Sequence, residues 1–87
     1  MVGKFAISKS GHDKGSIYVI VKEEADSVFL ADGRLKLVEK PKRKNKKHIQ
    51  IIKKLPDKII EVLKDQENFQ NETIKRAIKL YGQSNNE

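Results

Sequence analysis

Apolar and polar positions alternate through the first half of the chain, and this period predicts strands. Phe5 and Ile7 are the apolar positions of residues 3–9, as in a half-buried strand. Residues 16–22 are apolar on both faces, which predicts a long, bent strand shared between the two halves of a barrel. The glycine-flanked stretch between these segments is therefore predicted to be a loop that joins paired strands.

A second hairpin is predicted around Asp32-Gly33. Residues 28–31 and 34–38 are both rich in apolar side chains, and a two-residue Asp-Gly link between such runs is a strong hairpin signal. Alternating isoleucines in residues 48–52 predict a last strand that closes the barrel. Together these segments predict a mainly β domain with five strands.

The hydrophobic period changes at Pro56-Asp57, where proline and aspartate suit the first turn of a helix. This helix is expected to extend to about Asp65, and a polar break at 66–68 is expected to follow. Two short helices need tertiary packing, so their apolar stripes are predicted to be core. These stripes comprise Ile59, Ile60, Val62 and Leu63, and then Ile74, Ala77, Ile78 and Tyr81.

The second helix is predicted to begin at Asn68 or Asn71 and to end at Gly82, in the left-handed conformation common after a helix. Residues 83–87 are expected to form a flexible tail. The resulting division is a barrel over residues 1–55, a helical hairpin over 56–82 and the tail.

Charge is distributed unevenly along the chain. Residues 1–55 carry a net charge of +8 and residues 56–87 carry −1. Six of the eight residues from Lys40 to Lys47 are basic and none is apolar, which predicts an extended, mobile loop that meets a polyanion. A solvated surface loop and a nuclear localisation signal remain alternatives for this run. The helices carry Glu61, Asp65, Glu67 and Glu72 and are expected to bind phosphate poorly.

Ser10-Gly11-His12-Asp13-Lys14-Gly15 has the spacing of a tight turn, in which glycines take a positive φ or permit close approach. This stretch, with the strands on both sides, resembles the KOW motif of ribosomal proteins and transcription elongation factors. Tyr18 stands where many KOW motifs have a further glycine. Residues 28–33 resemble the second hairpin of KOW-containing large-subunit ribosomal proteins of archaea and eukaryotes, and the basic run adds a similarity to small bacterial relatives of those proteins.

The resemblance implies an SH3-like five-stranded β-barrel that binds structured RNA, above all ribosomal RNA. In that interpretation glycine amides approach phosphate or sugar, lysines supply charge and His12 stacks on a base or donates to a phosphate. An ordinary glycine turn is the alternative. The expected RNA-binding residues are Lys9, Gly11, His12, Lys14, Gly15, Arg34, Lys36, Lys40, Lys42, Arg43, Lys44, Lys46, Lys47 and His48.

Other classes of function find little support. There is no cysteine, His12 and His48 lie far apart, and no nucleophile has an evident base, so neither an enzyme nor a metal or other cofactor is expected. No segment is long and apolar enough for a signal peptide or a membrane span, and a cytoplasmic monomer that also contacts ribosomal proteins is expected. A protein-interaction module and a DNA-binding module remain the rival hypotheses.

Overall fold

The computed structural model describes residues 1–64 and 68–85, apart from the side chains of 83–85. Within these residues five strands are followed by two helices, with a short 3-10 turn at Lys46–His48 before the last strand. The strands are β1 (Phe5–Ser8), β2 (Ile17–Glu23), β3 (Ser27–Ala31), β4 (Lys42–Asn45) and β5 (Ile49–Ile52), and the helices are α1 (Asp57–Val62) and α2 (Asn71–Asn85).

The five strands form one antiparallel sheet in the order β4-β3-β2-β1-β5. Phe5 lies opposite both Val19 and Ile52, so β1 is the central link between β2 and β5. Val21 is an extra residue on β2, because Ile20 pairs with Leu30 while Lys22 pairs with Phe29. No pairing between β4 and β5 is found in the described residues, so the sheet is not shown to close into a barrel.

Both faces of the sheet are apolar, which explains the double-sided pattern of β2. One face, here called the inner face, contains Ala6, Tyr18, Ile20, Val28, Leu30 and Ile49, all buried. Among the residues that the structure describes, no helix contributes to this cluster, so the strands bury it against one another. The other face is covered by the two helices and contains Phe5, Val19, Ala31, Ile59, Leu63, Ile74 and Ala77. Phe5 also meets the ring of Tyr81 edge-on at 5.2 Å between centroids.

The strand predicted over 34–38 is wrong, because local hydrogen bonds hold this segment in a loop. The Asp32 Oδ1 atom accepts from the amides of Arg34 and Lys36, and the amides of Asp32 and Gly33 both donate to the Lys36 carbonyl. An Asp side chain that bonds the following backbone competes with a two-residue hairpin. Leu35, expected on a strand, is instead 86% exposed.

The basic run is also not the free loop predicted for it. Residues 42–45 form β4, where Lys44 pairs with Val28 and Lys42 with Leu30, so these two lysines occupy the inner face. Asn45 caps the 3-10 turn by accepting from the Lys47 amide at 2.8 Å. The run therefore supplies the fourth strand of the sheet.

Helix α1 begins at Asp57 as predicted and ends at Val62, and Ile59 and Leu63 are buried as predicted. Ile60, also assigned to the core, is more than half exposed. Most of the predicted polar break lies outside the described residues. No described helix is long and apolar enough to cross a membrane.

Helix α2 begins at Asn71, one of the two predicted starts, and continues through Gly82 to Asn85, so the predicted end at Gly82 is wrong. Gly82 has no positive φ. The Asn71 side chain bonds the preceding loop, since its Oδ1 accepts from the Val38 amide at 2.8 Å and its Nδ2 donates to the Glu39 carboxylate at 2.9 Å. Asn71 therefore fixes the start of α2 to the 32–41 segment.

Candidate nucleic-acid interface

The loop between β1 and β2 is closed by its own backbone. Gly11 and Gly15 have φ values of 86° and 90°, a conformation that glycine adopts at least cost. The Gly15 amide donates to the Ser8 carbonyl at 2.9 Å, and the Lys14 amide donates to the Gly11 carbonyl at 3.2 Å. A Cβ added at Gly15 would meet open space, so the loop tip is accessible.

Asp13 points from this loop toward the inner face and binds both lysines of β4. Its Oδ1 atom is 2.8 Å from Lys44 Nζ, and its Oδ2 atom is 2.9 Å from Lys42 Nζ. The Ser8 hydroxyl donates to Oδ1 at 2.8 Å and the Tyr18 hydroxyl donates to Oδ2 at 3.0 Å. Ser8, Asp13, Tyr18, Lys42 and Lys44 are called the Asp13 cluster below.

The cluster shifts two pKa values in opposite directions. Burial acts to raise the pKa of Asp13, but hydrogen bonds from Lys44, Lys42, Ser8 and Tyr18 outweigh it and hold that pKa well below its usual range. Burial, together with the hydrogen bond to the Asp13 carboxylate and its negative charge, raises the pKa of Tyr18 to about 12. Asp13 is therefore ionised and Tyr18 is neutral across the physiological range.

The cluster changes the role expected for the basic run. The Lys44 side chain is only 10% exposed and also donates to the Ser10 carbonyl, so this lysine braces the glycine loop and does not face a partner. Lys42 is partly exposed but bound to the same carboxylate. Arg43 points outward beside Glu24 at 3.7 Å, and Lys46 binds Glu23 at 2.7 Å. Lys46 and the N-terminal amine lower the pKa of Glu23.

The remaining predicted cations gather in two places. At the loop, Lys9 donates through its amide to the His48 carbonyl at 2.8 Å, which brings the end of β1 against the 3-10 turn. The exposed residues at this end are called the loop patch, and they are Lys9, Gly11, His12, Lys14, Gly15, Lys47 and His48. The structure thus unites the glycine loop with Lys47, the last residue of the basic run, and with His48.

Three predicted residues lie on the 32–41 segment, outside the loop patch. Lys36 and Lys40 line a depression of about 420 Å³, together with Leu35, Leu37, Pro41 and Lys42. Arg34 lines a different groove, of about 490 Å³, which borders α2. The predicted set is therefore divided among the loop patch, the 32–41 segment, the Asp13 cluster and the pair Arg43 and Lys46 beside Glu24 and Glu23.

Sequence reasoning missed two features of this region. Asp13 was not among the predicted site residues, and its contact with Lys44 of β4 joins residues 31 positions apart. Lys75 and Lys79 of α2 also line the groove that contains Arg34. The available signal was their spacing of four residues, which places two cations on one side of a helix.

The described residues contain no group of three or more His, Asp or Glu side chains that could hold a metal ion. Comparison with protein-family models and with curated proteins found no match for this chain. The geometry of the loop patch and the charge around it are thus what carry an argument about function.

Proposed function

We propose that this protein binds structured RNA, and ribosomal RNA above all, through the loop patch. The observation that carries the proposal is the braced glycine loop. Asp13 binds inward to Lys42 and Lys44, while His12 and Lys14 on the same loop are exposed. A loop fixed before binding loses less conformational entropy when RNA docks. Its glycine amides and cations then contact phosphate and sugar.

The arrangement of strands supports an SH3-like, KOW-type barrel within this proposal. A meander of four strands is followed by a 3-10 turn, and the last strand returns to pair with β1. The inner face is buried without help from a helix, which requires strong curvature of the sheet. The bulge at Val21 provides a place for β2 to bend.

Charge supports a polyanion as the partner, and we propose that the protein meets RNA in the cytoplasm. The chain has a net charge of +7, and the loop patch concentrates three lysines and two histidines without an exposed acid among its members. Because Lys42, Lys44 and Lys46 are paired with acids, fewer cations are free than the sequence implies. The salt dependence of binding is expected to reflect about three to five phosphate contacts, a log–log slope of roughly −2 to −4.

One observation favours a second candidate, a protein-interaction module. Leu35 is almost fully exposed, and the nearby Leu37 is partly exposed on the same 32–41 segment. Exposed large apolar side chains often mark contacts with other proteins. In that case the cations around the leucines would select an acidic partner, and neither RNA nor DNA would bind with appreciable affinity.

A mobility-shift experiment on the full chain tests the proposal. Folded ribosomal RNA fragments are compared with duplex DNA of matched length at two salt concentrations. We expect Lys14→Ala to leave the melting temperature unchanged, to weaken RNA binding and to reduce the salt slope by nearly one. The matched control is Lys53→Ala, an exposed lysine that follows β5 at the opposite end of β1 from Lys9.

Equal RNA affinity for the two alanine variants would remove the loop patch as the binding site. Equal affinity of the parent protein for DNA and RNA would favour the DNA-binding alternative. No binding to either nucleic acid would favour the protein-interaction module.

A further inference from the structure

A groove lies between helix α2 on one side and the start of β2 and residues 32–34 on the other. Its volume is about 490 Å³, and its lining combines three cations, one carboxylate and two isoleucines. The lining residues are Ser16, Ile17, Asp32, Arg34, Lys75, Ile78 and Lys79. This lining is called the α2 groove.

The α2 groove is basic even though the C-terminal part of the chain is close to neutral. Within α2, Lys75, Arg76 and Lys79 outnumber one acid, Glu72. Lys75 lies 3.3 Å from Glu72, but the Glu72 side chain is 86% exposed, and an ion pair of this kind holds its lysine weakly. The expectation that acidic residues make the helices poor phosphate binders therefore does not apply to this side of α2.

The apolar part of the groove lining suits a planar, uncharged group, such as the base of a nucleotide whose phosphate binds the cations. Ile17 and Ile78 are partly buried and supply an apolar surface, against which a base can pack. The one acid, Asp32, already accepts two backbone amides at its Oδ1 atom, so its charge is partly satisfied by the loop. Three cations against one carboxylate leave the groove attractive to an anion.

The position of the groove connects it to the loop patch. Ser16 lines the groove and directly follows Gly15, so the two surfaces are joined through one peptide bond. We infer that the α2 groove holds one nucleotide of a single-stranded RNA segment that extends from the loop patch, with its phosphate on Arg34, Lys75 and Lys79 and its base against Ile17 and Ile78. This inference rests on the proposed function and adds a second RNA contact, supplied by the helix.

The first test compares two double variants of the full chain with equal loss of charge. Lys75→Gln with Lys79→Gln removes two cations from the groove. Arg76→Gln with Lys58→Gln is the control, because both residues are exposed on the helices and neither lines the groove. For an RNA with a single-stranded extension, we expect the groove variant to lower the salt slope by about 1.4 and the affinity at 0.1 M salt by about tenfold, and the control to do neither.

The second test uses a small probe and does not depend on RNA binding. 5′-AMP is titrated into the full-length protein at low salt, and backbone amide shifts are followed by NMR. We expect shifts at Ser16, Ile17, Asp32 and Ile78 that persist in the control variant and are lost in the groove variant. Adenosine without phosphate is expected to bind at least fivefold more weakly, because the cations then have no partner.

The outcomes separate this inference from the proposed function. RNA binding that responds to Lys14→Ala but is equal in the two double variants, with no AMP shifts at the groove, overturns the inference and leaves the proposed function standing. AMP shifts at the groove in a protein that binds no RNA support a nucleotide site and overturn the proposed function. AMP shifts that are equal in the two double variants also overturn the inference.

Discussion

The carboxylate of Asp13 connects the glycine loop, to which it belongs, with strand β4, whose two lysines it binds. The two lysines that it binds lie two residues apart on β4, so both face inward and meet the loop from the same side. A partly buried carboxylate with two lysines, a serine and a tyrosine as partners is well satisfied, whereas two inward lysines without it would repel each other. Asp13 therefore joins the loop to the basic strand, in addition to the backbone hydrogen bonds that close the loop and the pairing of β4 with β3.

Asp13→Asn is expected to lower the free energy of unfolding by about 2 kcal/mol, less than the roughly 3 to 5 kcal/mol of a fully buried ion pair, because Asp13 and Lys42 are partly exposed. Urea denaturation measures the change. Asp26→Asn is the control, because Asp26 is exposed and such a surface change usually costs less than about 0.5 kcal/mol. Similar losses for the two variants would show that the Asp13 cluster contributes little to stability.

The same cluster predicts how stability depends on pH. The pKa of Asp13 is lower in the folded chain than the value of about 3.9 expected when it is unfolded. Its contribution is therefore complete above about pH 4 and is lost as the pH falls toward the folded value. The stability difference between the parent and Asp13→Asn is expected to shrink from pH 6 to pH 2. A constant difference would contradict this assignment.

The Asp13 cluster also shows why sequence reasoning assigned the basic run incorrectly. The glycine spacing correctly predicted the loop and its positive φ angles. Hydrophobic periodicity cannot identify a strand whose inward positions are lysines. Lys42 and Lys44 can face inward because Asp13 binds both, and the local sequence of β4 does not show that contact. Because Lys42 and Lys44 bind Asp13, replacing the cations of the basic run would also remove contacts within the fold.

At the scale of the elements, the 32–41 segment and the start of helix α2 hold each other in position through direct contacts. The sequence signal Asp-Gly predicted a hairpin, but the Asp32 side chain bonds its own loop, and Gly33 lies against the first turn of α2. A contact between residue 33 and residue 71 cannot be read from local patterns. Strands β1, β2, β3 and β5 have local hydrophobic patterns of their own, and each was predicted to within two residues at both ends.

Gly33→Ala tests this contact between elements. A Cβ at Gly33 would clash with the Asn71 carbonyl oxygen, and φ is 77°, so both backbone strain and a clash oppose the substitution. We expect a loss of about 3 kcal/mol in urea denaturation, of which strain accounts for about 1 to 2.

Gly15→Ala is the matched control for this prediction. Its φ is 90°, but the added Cβ would meet open space, so only the strain remains and a loss of about 1 kcal/mol is expected. Equal losses at Gly15 and Gly33 would mean that α2 moves away from the segment at no cost.

For the molecule as a whole, the two faces of the sheet explain why the C-terminal helices are present. The inner face is buried by the strands themselves, whereas Phe5, Val19 and Ala31 on the other face are buried beneath the helices. The change of hydrophobic period at Pro56 correctly predicted where the helices begin. It could not reveal which face of the sheet they cover, since that depends on how the strands are paired.

A chain that ends at Leu55 tests how far the strands depend on this cover. Loss of the helices removes four buried side chains, Ile59, Leu63, Ile74 and Ala77, from the face that contains Phe5 and Val19. At about 1.5 to 3 kcal/mol for each large apolar side chain, the loss exceeds about 5 kcal/mol. Small domains have a total stability of about 5 to 15 kcal/mol, so we expect residues 1–55 alone to be largely unfolded or self-associated. Circular dichroism, sedimentation and binding of the dye ANS measure these outcomes.

Addition of a separate peptide of residues 56–87 is the control for this experiment. If the helices act by covering the sheet, the peptide should restore the β signal of residues 1–55, gain helical signal and displace ANS, because the apolar face is again buried. The same peptide with Ile74→Asp should fail, since Ile74 is fully buried against the sheet. A 1–55 fragment that is monomeric, does not bind ANS and unfolds cooperatively without the peptide would show that the strands form an independent domain, to which the helices only add.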